Sequence, residues 1–384
     1  GMSNHDKANF KIKKQDGTER TVVLLKEKME EDDDHNKVKS FLLKGSKTIG
    51  FISLPSFYQD WDNAGTGVNG CANDVAKEIL KLKKENIEGL IIDLRYNGGG
   101  SLEEAVELSG IFIDYGPVGM EKERDSTIYT LRDVNRGTIY EGPLMLMVNG
   151  YTASAAEVVA GTLQDYHRAV IVGTPTYGKA TAQVVLPMDT TIDINKDNSN
   201  IKSDSYFKVT VSKLYRVNGT TAQATGVRPD IVLPDIPEAH PQREADNDYV
   251  LVSPSIEGNK YFRPYPVTNL DNLRALAQQK LSSISYFQRL KNNIDLIKAS
   301  GENKDVSLKL SEAVDEEKKA VEESMDTSSV AVETPPYTVE NNAFEKEQLK
   351  VNDDLKELND QWVKFLKKDP YLQVAYSMML LMIK

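Results

Sequence analysis

Three stretches of this 384-residue chain carry residues whose type and spacing could do chemistry. In Asn149-Gly150-Tyr151-Thr152-Ala153-Ser154-Ala155-Ala156-Glu157, Ser154 falls where an apolar run gives way to a helical pattern. A serine there can be a nucleophile on a sharp strand-to-helix turn. It can equally be a helix cap, because Ser154-x-x-Glu157 is a capping box. The two roles compete, since a capping hydroxyl is turned toward the backbone. In Gly173-Thr174-Pro175-Thr176-Tyr177-Gly178-Lys179-Ala180-Thr181-Ala182-Gln183, glycine precedes a lysine just after another apolar run. Lys179 is a surface amine if solvated. If desolvated, its pKa falls and the neutral form can take a proton from a serine. Gln183 is four residues on, so in an extended strand it points to the same side as Lys179 and its amide could hold that amine. The third stretch is Asp93-Leu94-Arg95-Tyr96-Asn97-Gly98-Gly99-Gly100. Its glycines let the chain turn sharply, and N–H groups at the helix start that follows suit negative charge. A phosphate site and an oxyanion hole fit it equally, but it lacks the Gly-Lys-Ser/Thr ending of a P-loop.

Other chemistries have less support. His167 lies thirteen positions after Ser154 in one helical segment, about 20 Å along an α-helix, so it cannot complete a triad while that helix is intact. His5, His35 and His240 stand in polar, loop-like sequence, too scattered for a metal site. The single cysteine, Cys71, excludes an intrachain disulfide and a thiolate zinc cluster. Lys and Arg number 47 against 58 Asp and Glu, a net charge of −11, which argues against general nucleic-acid binding. No apolar run approaches the roughly 20 residues of a membrane span.

The elements that must position these residues alternate. Thr48–Leu54, Gly89–Leu94, Pro143–Val148 and Ala169–Gly173 read as strands, Gly89–Leu94 and Ala169–Gly173 of a buried type. Helical spacing separates them at Val75/Ile79/Leu82, Ala105/Leu108/Ile111 and Ala155/Val158/Val159/Leu163. Strand–helix–strand alternation predicts right-handed crossovers and a largely parallel sheet. After Lys179 the pattern turns to strands alone, Gln183–Pro187 and Tyr206–Tyr215. From about Pro264 it becomes helical and charged. Val351, Leu355, Leu358, Trp362 and Phe365 mark one helix, and Asp369-Pro370 stops it and caps another. The acidic stretch 311–341 reads as a linker. Near the start, Asp16-Gly17 is a hairpin signal between two short strands. Gly1 before Met2 reads as a residue left from expression. The domain expectation is a hairpin at 8–30, a core at 40–240 and a helical extension at 264–384.

In this order and spacing the motifs resemble the C-terminal processing peptidases, or tail-specific proteases, a family of serine proteases with a Ser-Lys pair. Asp93–Gly100 matches the Asp-Leu-Arg-x-Asn-x-Gly-Gly signature, Thr152–Glu157 the nucleophile motif and Gln164-Asp165-Tyr166 a downstream motif. Gly173–Gln183 matches the lysine motif, and Gly226–Ile231 the Gly-Val-x-Pro-Asp motif. The departures are Ala180, where members often have glycine, and the segment before the core. There only the last hairpin of the family's PDZ domain is expected, the domain's front being missing.

The resemblance implies a crotonase-like (ClpP-like) α/β core with a mainly parallel sheet. It implies Ser154 as nucleophile, Lys179 as base and Gln183 orienting the lysine. The oxyanion hole would come from the N–H groups of Ala155 and of Gly99 or Gly100. Glu157, Asp165 and Thr176 would support the site as a cap, a helix-end anchor and a loop hydrogen bond. No metal or organic cofactor is implied. The implied partners are protein or peptide substrates held by their C-terminal region, membrane-associated envelope proteins among them, in a periplasmic or other extracytoplasmic compartment. The rival readings are a non-catalytic peptide-binding scaffold of the same fold and a CoA-thioester enzyme on the same type of core.

Overall fold

A computed structural model of the chain describes residues 7–14, 17–25, 37–59, 70–189, 205–235, 242–302, 309–315, 318 and 334–383. His5, Asp16, His35 and His240 lie outside the described residues, as do 26–30 of the expected hairpin domain. The chain divides into two units, 1–37 and 38–384. In the first, β1 (Lys7–Lys13) and β2 (Glu19–Leu25) pair antiparallel. Gly17 sits at φ +83°, as a tight hairpin turn requires. No further strand joins this pair among the described residues, so its reading as the end of a PDZ domain stands on the hairpin alone.

The second unit opens with β3 (Lys39–Lys44), β4 (Thr48–Ser53), α1 (Cys71–Lys84), β5 (Gly89–Asp93) and α2 (Leu102–Gly110). Next come β6 (Gly116–Glu123), β7 (Ile128–Asp133), β8 (Leu144–Val148), α3 (Ala155–Asp165) and β9 (Val170–Gly173). Then follow β10 (Thr181–Pro187), β11 (Tyr206–Tyr215), β12 (Ile231–Val232), α4 (Asp271–Ser283) and α5 (Ser285–Glu302). Last are β13 (Thr338–Glu340), α6 (Ala343–Gln348), α7 (Asp353–Lys368) and α8 (Pro370–Met382). The central sheet runs β12-β9-β8-β5-β4-β3-β13. It is parallel from β12 to β4 and antiparallel from β4 through β3 to β13. A second, antiparallel sheet has the order β10-β11-β6-β7. The expected mainly parallel α/β core with C-terminal helices is what forms.

The apolar runs reflect burial on both faces of the central sheet. Leu90, Ile92, Leu144, Leu146 and Val148 join one core with α1, α2 and α3. Their alternates Ile91, Met145 and Met147 join a second core with Leu273, Phe287, Leu372, Tyr376 and Met379 from the C-terminal helices. The helical extension is therefore half of the sheet's packing. The stretch expected to be a linker, 311–341, contains a strand near its end. Residues 319–333 lie outside the described residues, but Thr338–Glu340 lies antiparallel on Leu42–Lys44. The buried Tyr337 hydroxyl donates to Leu366 O at 3.1 Å. Covering the β3 edge and burying Val339 orders this end of the stretch.

One buried ion cluster ties α8 to the end of β5. Arg95 Nη2 donates to Asp93 Oδ2 at 2.7 Å and to Asp369 Oδ2 at 2.5 Å. Asp369 also caps α8, accepting the N–H groups of Tyr371 and Leu372 at 2.9 and 3.1 Å. Asp369→Ala removes the cap and one of two carboxylates facing a buried guanidinium. It is expected to lower unfolding free energy by about 3 kcal/mol, measured by urea titration.

Candidate active site

The loops that follow β5, β8 and β9 meet at the carboxyl ends of adjacent parallel strands, the edge where open α/β sheets hold their sites. Short bonds lock them together. Thr152 Oγ1 donates to Leu94 O at 2.8 Å, Ala153 N to Asn97 O at 2.9 Å, and Tyr177 N to Thr152 O at 2.9 Å. Asn97 is fully buried and also donates to Leu54 O at 2.9 Å. These bonds bring the three motifs to one place.

Ser154 ends the β8 loop at φ +59°, ψ −118°, a region that a residue with a Cβ rarely adopts. The conflict between cap and nucleophile resolves here. The capping-box side chains of Ser154 and Glu157 face each other's backbones, but the hydrogen bond that forms is Ser154 N to Glu157 Oε2, 2.8 Å; the serine hydroxyl caps nothing. A strained backbone presenting an uncommitted hydroxyl is the expected form of a nucleophile elbow. Glycine suits this conformation and alanine does not. Ser154→Gly is therefore expected to be more stable than Ser154→Ala by about 1–2 kcal/mol in chemical denaturation, with both lacking the hydroxyl.

Glu157 joins the serine to the lysine. It is buried, and its Oε2 accepts the N–H of Ser154 at 2.8 Å and of Lys179 at 2.9 Å. Its Oε1 accepts the N–H of Gly178 at 2.8 Å and the Thr176 hydroxyl at 2.5 Å. Thr176 Oγ1 in turn accepts Val227 N at 2.7 Å. Burial pushes the Glu157 carboxyl up to about 7, against the four donors, which favour ionisation. The Lys179 amine is half-buried, and its pKa is lowered, first by burial and then by the charge of Lys208, with Glu244 and Glu157 opposing. The two loops are thus joined through one Glu157 oxygen, which holds the backbone N–H of the strained serine and of the lysine whose amine pKa is lowered.

Gln183 departs from expectation. Lys179 lies before β10, which begins at Thr181, so the even-odd argument along a strand does not reach it. The Gln183 amide instead donates to Thr210 Oγ1 at 3.3 Å on an exposed face. The lysine loop is held by a different glutamine. The buried Gln223 accepts Ala180 N at 2.7 Å and donates to Glu244 at 3.0 Å. Nothing local marks Gln223 in the sequence, and only the pairing of distant loops selects it. Asn97 was within reach of sequence reasoning, because an Asn directly before Gly98-Gly99 is a turn signal.

The backbone N–H groups expected to form an oxyanion hole differ in what they already bind. Ala155 is the first residue of α3, so its N–H has no partner within the helix, and among the described residues no other backbone acceptor meets it. Gly99 packs on it. A Cβ on Gly99 would lie 2.7 Å from Ser154 Cβ and 3.0 Å from Ala155 N, with φ at +97°, so the close approach requires glycine. The Gly99 N–H, however, donates to Asn97 Oδ1 at 2.9 Å in an Asx turn. Of the two glycines offered, Gly100 keeps its N–H uncommitted among the described residues. Asp165 anchors the far end of α3, accepting Arg216 at 2.9 and 2.7 Å and Asn218 at 2.9 Å. His167 lies beyond that end, its Nδ1 2.9 Å from Tyr265 O.

Residues 48–233 match the model of peptidase family S41, and residues 238–384 match that of the C-terminal domain of tail specific protease. Over these two segments the chain is similar to the tail-specific proteases of peptidase family S41. It is 34% identical to the tail-specific protease of Haemophilus influenzae over 69% of this chain and 36% of that one. It is 27% identical to the carboxy-terminal-processing protease of Bartonella bacilliformis over 58% of this chain and 46% of that one. Among solved structures, a photosystem II D1 C-terminal processing protease is 26% identical, covering 56% of this chain and 52% of that one with a TM-score of 0.43. The chain thus spans about a third to a half of the length of these relatives.

Proposed function

We propose that this chain is the catalytic part of a serine endopeptidase that cuts protein substrates near their C-terminus. Ser154 Oγ attacks the peptide carbonyl while the neutral Lys179 amine takes its proton. The tetrahedral oxyanion lies against the Ala155 N–H, the positive end of α3 and the glycine turn at Gly99-Gly100. Lys179 then gives its proton to the leaving amine, and the acyl group stays on Ser154. Lys179 next draws a proton from water, the hydroxide adds to the acyl carbonyl, and Ser154 leaves as the hydroxyl. The observation that carries this reading is the single buried oxygen of Glu157 that holds the N–H groups of both Ser154 and Lys179.

The names of the relatives support protein substrates recognised through their C-terminal region. We further infer an extracytoplasmic setting and envelope proteins among the substrates. The test is digestion of an unfolded protein with an apolar C-terminus, followed by mass spectrometry. Fragments shortened from the C-terminal side are expected from the parent chain and none from Ser154→Ala. Products that persist with Ser154→Ala would assign the cleavage to another nucleophile. An inactive parent chain would favour the scaffold reading.

A further inference from the structure

The loop that carries Lys179 is held from two sides. Glu157 of α3 holds one side, through the N–H groups of Gly178 and Lys179 at 2.8 and 2.9 Å. The turn at 222–226 holds the other. Ala224 N donates to Gly178 O at 2.8 Å, and Gln223 Oε1 accepts the N–H of Ala180, the residue after the lysine, at 2.7 Å. This turn is strained where it meets the loop, since Ala224 stands at φ +64°. Gly178, at φ +99°, lies so close that a Cβ there would sit 3.1 Å from the Ala224 carbonyl carbon. Gln223 is buried, and with its oxygen turned to Ala180 its NH2 end needs an acceptor. Glu244 supplies one: Gln223 Nε2 donates to Glu244 Oε1 at 3.0 Å. The Glu244 N–H also donates to Tyr177 O at 3.1 Å. Glu244 therefore grips the lysine loop twice, once directly and once through Gln223.

Glu244 opens a short helical turn, Glu244–Asp246, which Arg243 N closes by donating to Asp246 Oδ2 at 2.8 Å. This turn lies in the 238–384 segment, whereas Lys179 and Gln223 lie in 48–233. We propose that Glu244 is a positioning residue for Lys179, supplied by the segment beyond the protease core and acting on the lysine loop through Gln223. This rests on Lys179 being the base of the reaction described above. The Glu244 carboxylate also acts on the amine by its charge. The charged groups that bear on Lys179 are Lys208 from β11, which disfavours its protonated form, and Glu244 and Glu157, which favour it. Ser154, Lys179 and Glu157 all belong to the core, so the core holds every reacting group. It lacks only the second grip on its lysine, and the C-terminal segment provides that in addition to its packing on the sheet.

The test uses the full chain and two readouts. One is kcat and KM on a protein substrate across the rising limb of the pH profile. The other is titration of the Lys179 amine by NMR of isotope-labelled lysine, its signal assigned by its loss in Lys179→Met. Glu244→Ala strips Gln223 of its acceptor and is expected to lower kcat about tenfold, with KM changed less than about twofold. Glu244→Gln returns an oxygen acceptor without the charge. It is expected to recover most of that kcat, while the amine titration and the rising limb both move to lower pH, because losing a negative charge makes Lys179 harder to protonate. That displacement is opposite in sign to the one expected from Lys208→Gln, and a purely structural role would not produce it. A kcat for Glu244→Ala equal to the parent's would overturn the inference. So would an amine titration in Glu244→Gln that coincides with the parent's, and this readout decides even where Glu244→Ala lowers stability. If the amine titration moves as expected and activity does not follow it, Lys179 is not the base, and the reading on which the inference rests falls with it.

Discussion

Lys179→Met is expected to lower kcat/KM for a protein substrate by at least about 10³-fold while leaving the fold intact. Methionine keeps the length of the stem and loses the amine, so the Ser154 proton has no acceptor. The half-buried setting of Lys179 makes the loss tolerable for stability, because the amine is held away from water by its surroundings rather than by a structural ion pair. The pH profile is the sharper readout. The active form is the neutral amine, so activity should rise about tenfold per pH unit until the depressed lysine pKa is passed. Lys208 is exposed on β11, and its positive charge helps hold that pKa down. Removing the charge with Lys208→Gln makes Lys179 easier to protonate, so the rising limb should move to higher pH at unchanged melting temperature. A rising limb that ignores Lys208→Gln would mean that a group other than Lys179 limits the rate.

What the sequence disclosed about this site follows from what is local in it. Ser154, Glu157 and Thr176 stand in short motifs whose turns and caps are set by neighbours in the chain, so the capping box and the strained elbow were legible together. Gln183 misled because parity holds only inside a strand, and Lys179 stands in the loop before β10 begins at Thr181. Gln223 and the Tyr337–Asn341 region were illegible for the opposite reason. Their roles exist only after pairings such as Glu340 with Leu42, and no local propensity encodes a partner 298 positions away. The parallel strands declared themselves as apolar runs, but their division into two cores did not. Ile91 and Ile92 are chemically alike, and only the pleat sends one toward α8 and the other toward α1.

The Glu157 carboxylate yields the second large effect, and its sign can be worked out. Glu157→Gln keeps the shape but replaces one acceptor oxygen with an NH2 group. Either way the amide turns, that group confronts two donors, the pair from Ser154 N and Lys179 N or the pair from Gly178 N and the Thr176 hydroxyl. Two buried donors left unpaired cost about 2–4 kcal/mol, and the loosened elbow should lower kcat by at least about 10²-fold with little change in KM. The pH dependence separates this from ordinary destabilisation. Folding raises the Glu157 pKa from 4.5 to about 7, so the folded chain binds more protons than the unfolded chain between those values. The stability this group contributes is complete below about pH 4.5 and is lost as pH rises through about 7, on the order of 3 kcal/mol in all. Activity moves the other way, since only the ionised carboxylate accepts all four donors and holds serine and lysine together. Urea titrations from pH 4.5 to 8 should therefore show a falling limb in the parent that is flattened in Glu157→Gln. A limb of equal slope in both proteins would place the titration elsewhere and remove Glu157 as the link between the two catalytic loops.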